Sequence, residues 1–300
     1  MKSGTLYHGL LLLLLFCGAC TDKSGEFDAC GQVEATEVMV SAESNGRIVR
    51  LDLTEGDRLR KGAVVGVIDS VQTFLQKQEL LRKKANARTK QVDIRRQLAS
   101  QYERLNNLRV DYERYRILEA KDAGTRKQVE DLASQIAVAE REIAAQKQTY
   151  ERNNAGIKEE MELYDVQIAE KEDQLAKCRI VAPIDGVVLT KFAETGEMAT
   201  AGKSLFKMAD MNQVYVRAYL TTPQLSEVKL GDSLRVTIDD GTKNQRSYTG
   251  KLIWIADEME FTPKNIQTKD ERADLVYAVK IALRNDGYLK LGMYAFVHFK

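Results

Sequence analysis

The sequence is poor in residues that interrupt helices and in residues that most often perform catalysis. Its 300 residues include three prolines, and none of them lies between Ser70 and Cys178. Because proline breaks helix interiors, this long interval favours continuous helix. The two histidines, His8 and His298, stand at opposite ends of the chain. That distribution provides no Cys/His cluster of the kind that binds a metal ion.

Other absences exclude whole functional classes. The formal net charge is +1 although 30% of the residues are charged, so the chain lacks the basic excess typical of nucleic-acid binding. It has no glycine-rich phosphate loop and no Ser-His-Asp motif set. Most acidic residues alternate with Lys and Arg in the central region, a pattern typical of the solvated face of a coiled coil. We therefore predict a protein that is not an enzyme and has no cofactor.

An apolar run near the N-terminus predicts a targeting segment. The run from Leu10 to Phe16 follows the positive charge of Lys2 and is too short to span a bilayer. It indicates a cleaved signal peptide over residues 1–19. Two small residues and then Cys20 resemble a bacterial lipobox, although position 17, which is usually aliphatic, is Cys. This resemblance implies that Cys20 is acylated; an ordinary secretory signal that is cut nearby is the alternative.

Two cysteines remain in the body of the chain. Of the four in the sequence, Cys17 leaves with the signal peptide and Cys20 carries the lipid, so Cys30 and Cys178 are left. Export makes a disulfide between these two chemically possible. Their surroundings place them in different elements, and we therefore expect two separate thiols.

Residues 71–177 predict a long antiparallel helical hairpin. The region is rich in Gln, Glu, Lys, Arg, Ala and Leu, which all favour helix. Apolar residues recur at three- and four-residue steps, as in coiled-coil seams. The seam residues are Leu98, Tyr102, Leu105, Leu108, Tyr112, Tyr115 and Leu118 on the first arm, and Val129, Leu132, Ile136, Ala139, Ile143, Tyr150, Ile157, Met161, Tyr164, Ile168 and Leu175 on the second.

The chain is expected to reverse at residues 122–125. Gly124 is suited to the left-handed conformation that ends a helix, and Thr125 is suited to capping the next helix. Each arm then holds roughly fifty residues and, at ~1.5 Å per residue, extends about 75 Å.

A short unit occurs twice, once on each side of the hairpin, with a constant offset of 140 residues. The matched pairs are Ala42 and Ala182, Gly46 and Gly186, Gly56 and Gly196, Gly62 and Gly202, Ile48 and Val188, and Val65 and Leu205. A match in register without a gap indicates an internal duplication of a β unit. The glycines are expected to permit positive φ in tight turns. The two copies are expected to bury their apolar faces in one shared core.

Residues 37–70 and 178–210 resemble the two halves of a biotinyl/lipoyl-type β-sandwich split by a helical hairpin, as in the HlyD-type membrane fusion proteins, which are periplasmic adaptor subunits. The fragments that carry this resemblance are Gly46-Arg-Ile, Glu55-Gly-Asp, Ala182-Pro-Ile-Asp-Gly and Gly292-Met. In lipoyl and biotin carriers, a Lys in a turn between the halves holds the cofactor. Here the hairpin replaces that turn, so the resemblance implies an adaptor without carrier chemistry.

Residues 211–300 predict a small β-barrel. Alternating strands are expected from Val214, Ser233, Tyr248 and Val276, with turns at Gly231 and Asn285. Residues 31–35 are expected to join this barrel as a first strand within a lipid-anchored segment, residues 20–36. The predicted fold is therefore α+β: a hairpin inserted into a lipoyl-like sandwich, followed by a barrel.

The resemblance also implies two contact sites. Adaptors that dock TolC-type channels carry Arg at the hairpin tip, then Leu four residues later and Ser seven residues after that. Arg114 and Leu118 fit this pattern, and Thr125 stands in place of the Ser. Residues 260–272 resemble a loop of adaptors that serve ABC-type exporters. The transporter contact implied there consists of Glu260, Phe261, Thr262 and Pro263.

The implied function is that of a periplasmic adaptor in a Gram-negative cell envelope. It is lipid-anchored to the inner membrane, forms a homo-oligomeric ring or funnel, and links an ABC-type transporter to a TolC-type channel without a nucleic-acid partner. Two alternatives stay open: a structural coiled-coil envelope lipoprotein and a lipoyl/biotin carrier-like module. A carrier needs a modifiable Lys in a tight turn, whereas a simple spacer needs neither a split β repeat nor a barrel.

Overall fold

The structure is a computed structural model that describes residues 27–239, 241, 245–261 and 275–299. It combines two four-stranded sheets, a long helical hairpin and a closed six-stranded barrel. The elements in chain order are β1 (Ala29–Glu34), β2 (Glu37–Ser41), β3 (Gly46–Leu51), β4 (Arg58–Leu59), β5 (Val64–Ile68), α1 (Val71–Thr89), α2 (Ile94–Glu119), α3 (Arg126–Lys177), β6 (Arg179–Val181), β7 (Gly186–Lys191), β8 (Met198–Ala199), β9 (Ser204–Ala209), β10 (Gln213–Leu220), α4 (Thr222–Leu225), β11 (Ser233–Asp239), β12 (Arg246–Phe261), β13 (Leu275–Arg284) and β14 (Tyr294–His298). The predicted fold class is confirmed.

The sandwich mixes strands from both sides of the hairpin. Its two sheets have the strand orders β2-β9-β7-β4 and β6-β5-β3-β8. Gly46 pairs with Ala199 where β3 meets β8, and Leu59 pairs with Gly186 where β4 meets β7. These two pairs are equivalent under the 140-residue offset, so the two halves exchange strands in a pseudo-twofold arrangement. The predicted duplication is confirmed.

Polar side chains obey the same symmetry. Asn45 Oδ1 accepts a hydrogen bond from the Ala201 N–H at 2.8 Å, and Asp185 Oδ1 accepts one from the Lys61 N–H at 2.8 Å. Each side chain therefore anchors a turn of the opposite half, which ties the two copies together outside the core.

The matched glycines serve two different purposes. Gly46, Gly56, Gly62, Gly196 and Gly202 have positive φ, between 81° and 154°, as expected. For Gly186 the expectation is wrong, because its φ is not positive. A Cβ at Gly186 would lie 2.4 Å from the Ala209 carbonyl oxygen. Close approach of β7 to β9, rather than turn geometry, requires glycine there.

The hairpin contains three helices rather than two. The second arm is one helix, α3, of 52 residues, which corresponds to about 78 Å. The predicted hairpin is confirmed, and its first arm is interrupted at residues 90–93, which separate α1 from α2. Asp93 Oδ1 accepts a hydrogen bond from the Arg95 N–H at 3.0 Å, so Asp93 caps α2. Local capping therefore starts a new helix within a sequence that favours helix throughout.

The two parts of the hairpin are held together differently. The distal part buries an apolar core of Leu98, Leu105 and Ile143, whereas Tyr102, predicted on the seam, is 45% exposed. In the proximal part, lysines on the first arm form ion pairs with carboxylates of α3. These pairs are Lys77 with Glu172, Lys84 with Asp165, and Lys90 with Glu160. The proximal contact therefore combines ion pairs with a few buried apolar residues, Ala87 and Ile168.

The barrel closes because β1 pairs with both β10 and β14. Its strand order is β1-β10-β13-β12-β11-β14, and residues such as Val216, Val236 and Ile281 fill its interior. The predicted return of the N-terminal strand to the barrel is confirmed. The last strand, β14, was not predicted, and without it the barrel would stay open between β1 and β11.

Further expectations concern the N-terminal region and the cysteines. Residues 1–19 and Cys20 lie outside the described residues. Within the described ranges, no helix has both the length and the apolar character needed to span a membrane. Cys30 lies on barrel strand β1 and Cys178 lies in the sandwich core, in different elements as expected.

Candidate functional site at the hairpin tip

The turn at the hairpin tip has the hydrogen bonds of a Schellman motif. The Ala123 N–H donates to the Leu118 carbonyl, and the Asp122 N–H donates to the Glu119 carbonyl, both at 2.9 Å. Asp122 is the left-handed residue of this turn, with φ of 58°. Assigning that role to Gly124 is therefore wrong. Aspartate tolerates the conformation because its short polar side chain makes local hydrogen bonds available.

Gly124 lies in close contact with the end of α2 instead. A Cβ at this position would lie 3.1 Å from the Glu119 nitrogen and 3.3 Å from the Leu118 Cβ. The turn therefore folds back tightly on the last turn of α2. As a result, the base of the Leu118 side chain is held against the turn.

Arg114 and Leu118 are both exposed near the end of α2. The Leu118 residue is 36% exposed, and the most distal buried position of α2 is Leu105, so Leu118 does not close the buried seam. Arg114 Nη1 lies 3.3 Å from Asp111 Oδ1, and the Arg114 side chain is 64% exposed. An exposed pair of this kind contributes about 0–1 kcal/mol, so a partner could displace it at little cost.

Thr125 begins α3 as its N-cap residue. It has extended backbone angles, and its N–H donates to Gln128 Oε1 at 3.3 Å, which is one half of a capping box. The predicted capping role is confirmed. The structure thus brings Arg114, Leu118 and Thr125 to the same end of the hairpin, and a docking role for them stays a prediction.

Two apolar residues near the tip were not predicted. Val110 and Ile117 are 52% and 51% exposed and lie seven residues apart on α2. Their spacing keeps them on one face, and neither belongs to the seam series that includes Leu105 and Tyr112. The sequence signal that could have identified them is an apolar residue at a position outside the seam series. Together with Leu118 they give the distal hairpin an outward apolar stripe.

The barrel carries an arm that extends toward the second predicted contact. Strands β12 and β13 pair as far as Phe261 with Leu275, which are 75% and 47% exposed. Thr262 and Pro263 lie outside the described residues. The Phe261 ring is therefore presented at the end of the arm that the structure describes.

Glu260 precedes Phe261 and is engaged near the end of the arm that the structure describes. Its two carboxylate oxygens accept hydrogen bonds from Arg217 Nη2 at 3.0 and 3.1 Å. Partial burial tends to lower the pKa of Arg217, but Tyr219 and Glu260 outweigh burial and raise that pKa. The pair holds the arm over the outer face of β10, so Glu260 first of all supports the arm.

No metal chemistry is suggested by the residues that the structure describes. Among them, no group of three or more His, Cys, Asp or Glu side chains is placed to hold an ion.

The family comparison matches the part of the chain that forms the sandwich and the hairpin. Residues 36–210 match the model described as a CzcB-like, barrel-sandwich hybrid domain. The chain belongs to this family. The match spans both halves of the barrel-sandwich hybrid and the hairpin between them, which agrees with the strand exchange seen in the structure.

Curated relatives are similar over most of their length. A UPF0194 membrane protein of Acidithiobacillus ferridurans is 28% identical over 300 residues, covering 89% of this chain and 85% of the relative. The UPF0194 membrane protein YbhG of Salmonella gallinarum is 27% identical over 293 residues, with 90% and 87% covered.

Solved structures share the fold. MacA from Actinobacillus actinomycetemcomitans superposes with a TM-score of 0.57 at 18% identity, covering 90% of this chain and 76% of MacA. The membrane fusion protein Spr0693 from Streptococcus pneumoniae R6 gives a TM-score of 0.51 at 18% identity, with 90% and 96% covered. The predicted resemblance to membrane fusion proteins is confirmed at the level of the fold.

Proposed function

We propose that this barrel-sandwich hybrid protein is a periplasmic adaptor of an efflux or secretion system. It links an inner-membrane transporter of the ABC type to an outer-membrane channel of the TolC type. The observation that carries this proposal is a hairpin of about 78 Å that projects from a small split sandwich, with a second, closed barrel beside it. Such a rod holds its tip far from the sandwich, so the two ends of the hairpin are able to contact different partners.

The proposed division of labour follows the chain. Residues 1–19 are the signal peptide, and residues 20–36 carry the lipid anchor and the first barrel strand. Residues 37–70 and 178–210 form the lipoyl-like halves, residues 71–177 form the hairpin, and residues 211–300 form the barrel. In this arrangement the barrel and the anchor lie at the inner membrane and the tip points to the outer membrane. Several copies form a ring through their sandwich and barrel domains.

Exposed apolar groups support the two ends as contact sites. The tip presents Leu118 with Ile117 beside it, and the barrel arm presents Phe261 at 75% exposure. Exposed apolar groups clustered at the ends of an elongated molecule favour protein contacts. Arg114 adds a guanidinium that is able to hydrogen-bond carbonyls or carboxylates of a channel.

The deciding experiment identifies partners directly. A C-terminally tagged protein is purified from cells treated with a membrane-permeable cross-linker, and the co-purified proteins are identified by mass spectrometry. We expect an ABC-type transporter and a TolC-type channel. The matched control is the same protein with the tip segment 112–132 deleted, which should retain the transporter and lose the channel.

Other outcomes point to the alternatives. Recovery of neither transporter nor channel, together with an altered distance between the membranes, would support a structural coiled-coil lipoprotein instead. Covalent biotin or lipoate found on a Lys would support a carrier. The structure gives little support to a carrier, because β5 continues into α1 within three residues and a short turn does not join the halves.

A further inference from the structure

Of the four residues that separate α1 from α2, Val92 has both backbone groups hydrogen-bonded to the opposite arm. At Val92, the N–H donates to Asn154 Oδ1 at 3.1 Å, and the carbonyl accepts from Asn154 Nδ2 at 2.9 Å. One side-chain amide from α3 thus satisfies both backbone groups of a single residue across the hairpin. Both groups are half-buried, where an unsatisfied donor or acceptor is destabilising.

Asparagine in the middle of a 52-residue helix needs a local reason. It is less favourable there than Ala, because its side chain competes with helical hydrogen bonds. The two bonds to Val92 supply that reason. They also depend on register, since a shift of either arm by one residue would separate Asn154 from both groups at once.

The opposite arm, α3, contains a helix-weakening glycine beside the interruption of the first arm. Gly156 follows Asn154 by two residues, and a Cβ there would meet no atom within 4 Å. No packing contact therefore requires this glycine, although glycine weakens a helix interior. The break in the first arm and the weak point of α3 thus lie side by side.

Firm contacts flank this weak region on both sides. Ala87 is 1% exposed just before the break and Leu98 is fully buried just after it. The hairpin therefore consists of a proximal and a distal rod that meet at residues 90–93. The hydrogen bonds between Asn154 and Val92 link the arms at that junction, next to the longer and more exposed ion pair between Lys90 and Glu160.

We propose that Asn154 is a positioning residue that locks the register of the two arms at this junction and so directs the distal hairpin and its tip. Any consequence for channel docking rests on the proposed function. The lock itself is a property of the isolated chain and is measured without partners, so its failure and the failure of the adaptor role are distinguishable.

Hydrogen exchange followed by mass spectrometry tests the lock in the mature protein purified in detergent. Asn154→Leu removes both hydrogen bonds. Asn153→Leu makes the same chemical change at the exposed neighbouring residue and is the matched control. We expect about tenfold faster exchange in peptides containing residues 88–96 for Asn154→Leu, because a lost hydrogen bond of ~1.4 kcal/mol changes an opening equilibrium by that factor. Asn153→Leu and the sandwich peptides should match the wild type.

A second measurement tests the positioning role. Nitroxides are attached through unnatural amino acids at the exposed positions Gln78 and Arg104, on either side of the junction, and their distance distribution is measured by pulsed EPR. Asn154→Leu should broaden the distribution, and Asn153→Leu should not. Asn154→Asp keeps the acceptor for the Val92 N–H and loses the donor to the Val92 carbonyl. The width of its distance distribution should therefore lie between those of Asn153→Leu and Asn154→Leu.

Three results would overturn the proposal. The first is exchange in Asn154→Leu that equals the wild type. The second is an equal rise in exchange in both leucine variants, which would show a general loss of helix stability. The third is faster exchange with an unchanged distance distribution, which would show hydrogen bonds that do not direct the distal rod.

Discussion

At the scale of single residues, the tip combines a rigid support with exposed groups. The Schellman turn and the close contact of Gly124 fix the backbone under Leu118, whereas Arg114 is held only by an exposed ion pair. Leu118 is therefore presented with little loss of entropy on binding, and Arg114 is free to change partners. These properties are those expected of residues that contact a partner protein rather than of residues that close the coiled-coil seam.

Substitution of the tip residues tests that docking contact. Arg114→Asp and Leu118→Ser should each reduce co-purified channel about tenfold or more, since loss of an interface anchor often costs ~2 kcal/mol. The helical circular dichroism should stay near the wild type because both side chains are exposed. Arg104→Asp and Leu163→Ser make the same changes at exposed positions away from the tip and serve as controls. Normal export by both tip variants would rule out docking through these two residues.

Gly186 permits a test of close packing in the sandwich. Gly186→Ala places a Cβ against the backbone oxygen of Ala209 and should lower the free energy of unfolding by about 3 kcal/mol. Gly56→Ala strains a positive φ in open space and should cost ~1 kcal/mol. Chemical denaturation of both variants measures the difference. A larger loss at Gly56 would contradict the packing argument.

At the scale of elements, some features follow from the sequence and others depend on contacts across the fold. The hairpin and the duplicated unit were predictable because helical periodicity and a constant residue offset are local patterns. The break at residues 90–93 was not, because Lys90 and Gln91 are ordinary helix formers and the compensating Asn154 lies on the other arm. Close approach of two strands, which decides Gly186, likewise leaves no mark on a single sequence.

The barrel arm provides an element-scale prediction. Deleting residues 262–274 and joining the strands with a short Gly-Ser linker should abolish export and transporter co-purification. The thermal unfolding midpoint should change little, because the deletion retains the ion pair between Arg217 and Glu260 and leaves the barrel core intact. A matched control replaces residues 240–244, the segment between β11 and β12, with the same linker. Export that persists in the arm deletion would argue against the arm as a transporter contact.

At the scale of the whole molecule, the order of parts along the chain determines which ends lie together. Because β1 pairs with β10 and β14, the start of the described chain is fixed to the barrel and not to the hairpin. Asp28 strengthens this attachment, since its Oδ2 accepts from the Phe299 N–H at 2.7 Å. The proposed lipid anchor at Cys20 would therefore hold the barrel, rather than the hairpin, at a membrane.

Loss of the anchor is the prediction at this scale. Cys20→Ser removes the thiol that the lipobox resemblance marks for acylation, and each buried CH₂ of an acyl chain contributes about 0.8 kcal/mol to membrane binding. We expect the variant to move from the membrane to the soluble periplasmic fraction, while its β1 strand and barrel remain folded. Cys30→Ser, which alters a cysteine buried on β1, is the control and should stay with the membrane. Export should fall with Cys20→Ser because the barrel is then no longer concentrated beside the transporter. If Cys20→Ser remains membrane-bound after a high-salt wash, an anchor other than this lipid holds the protein.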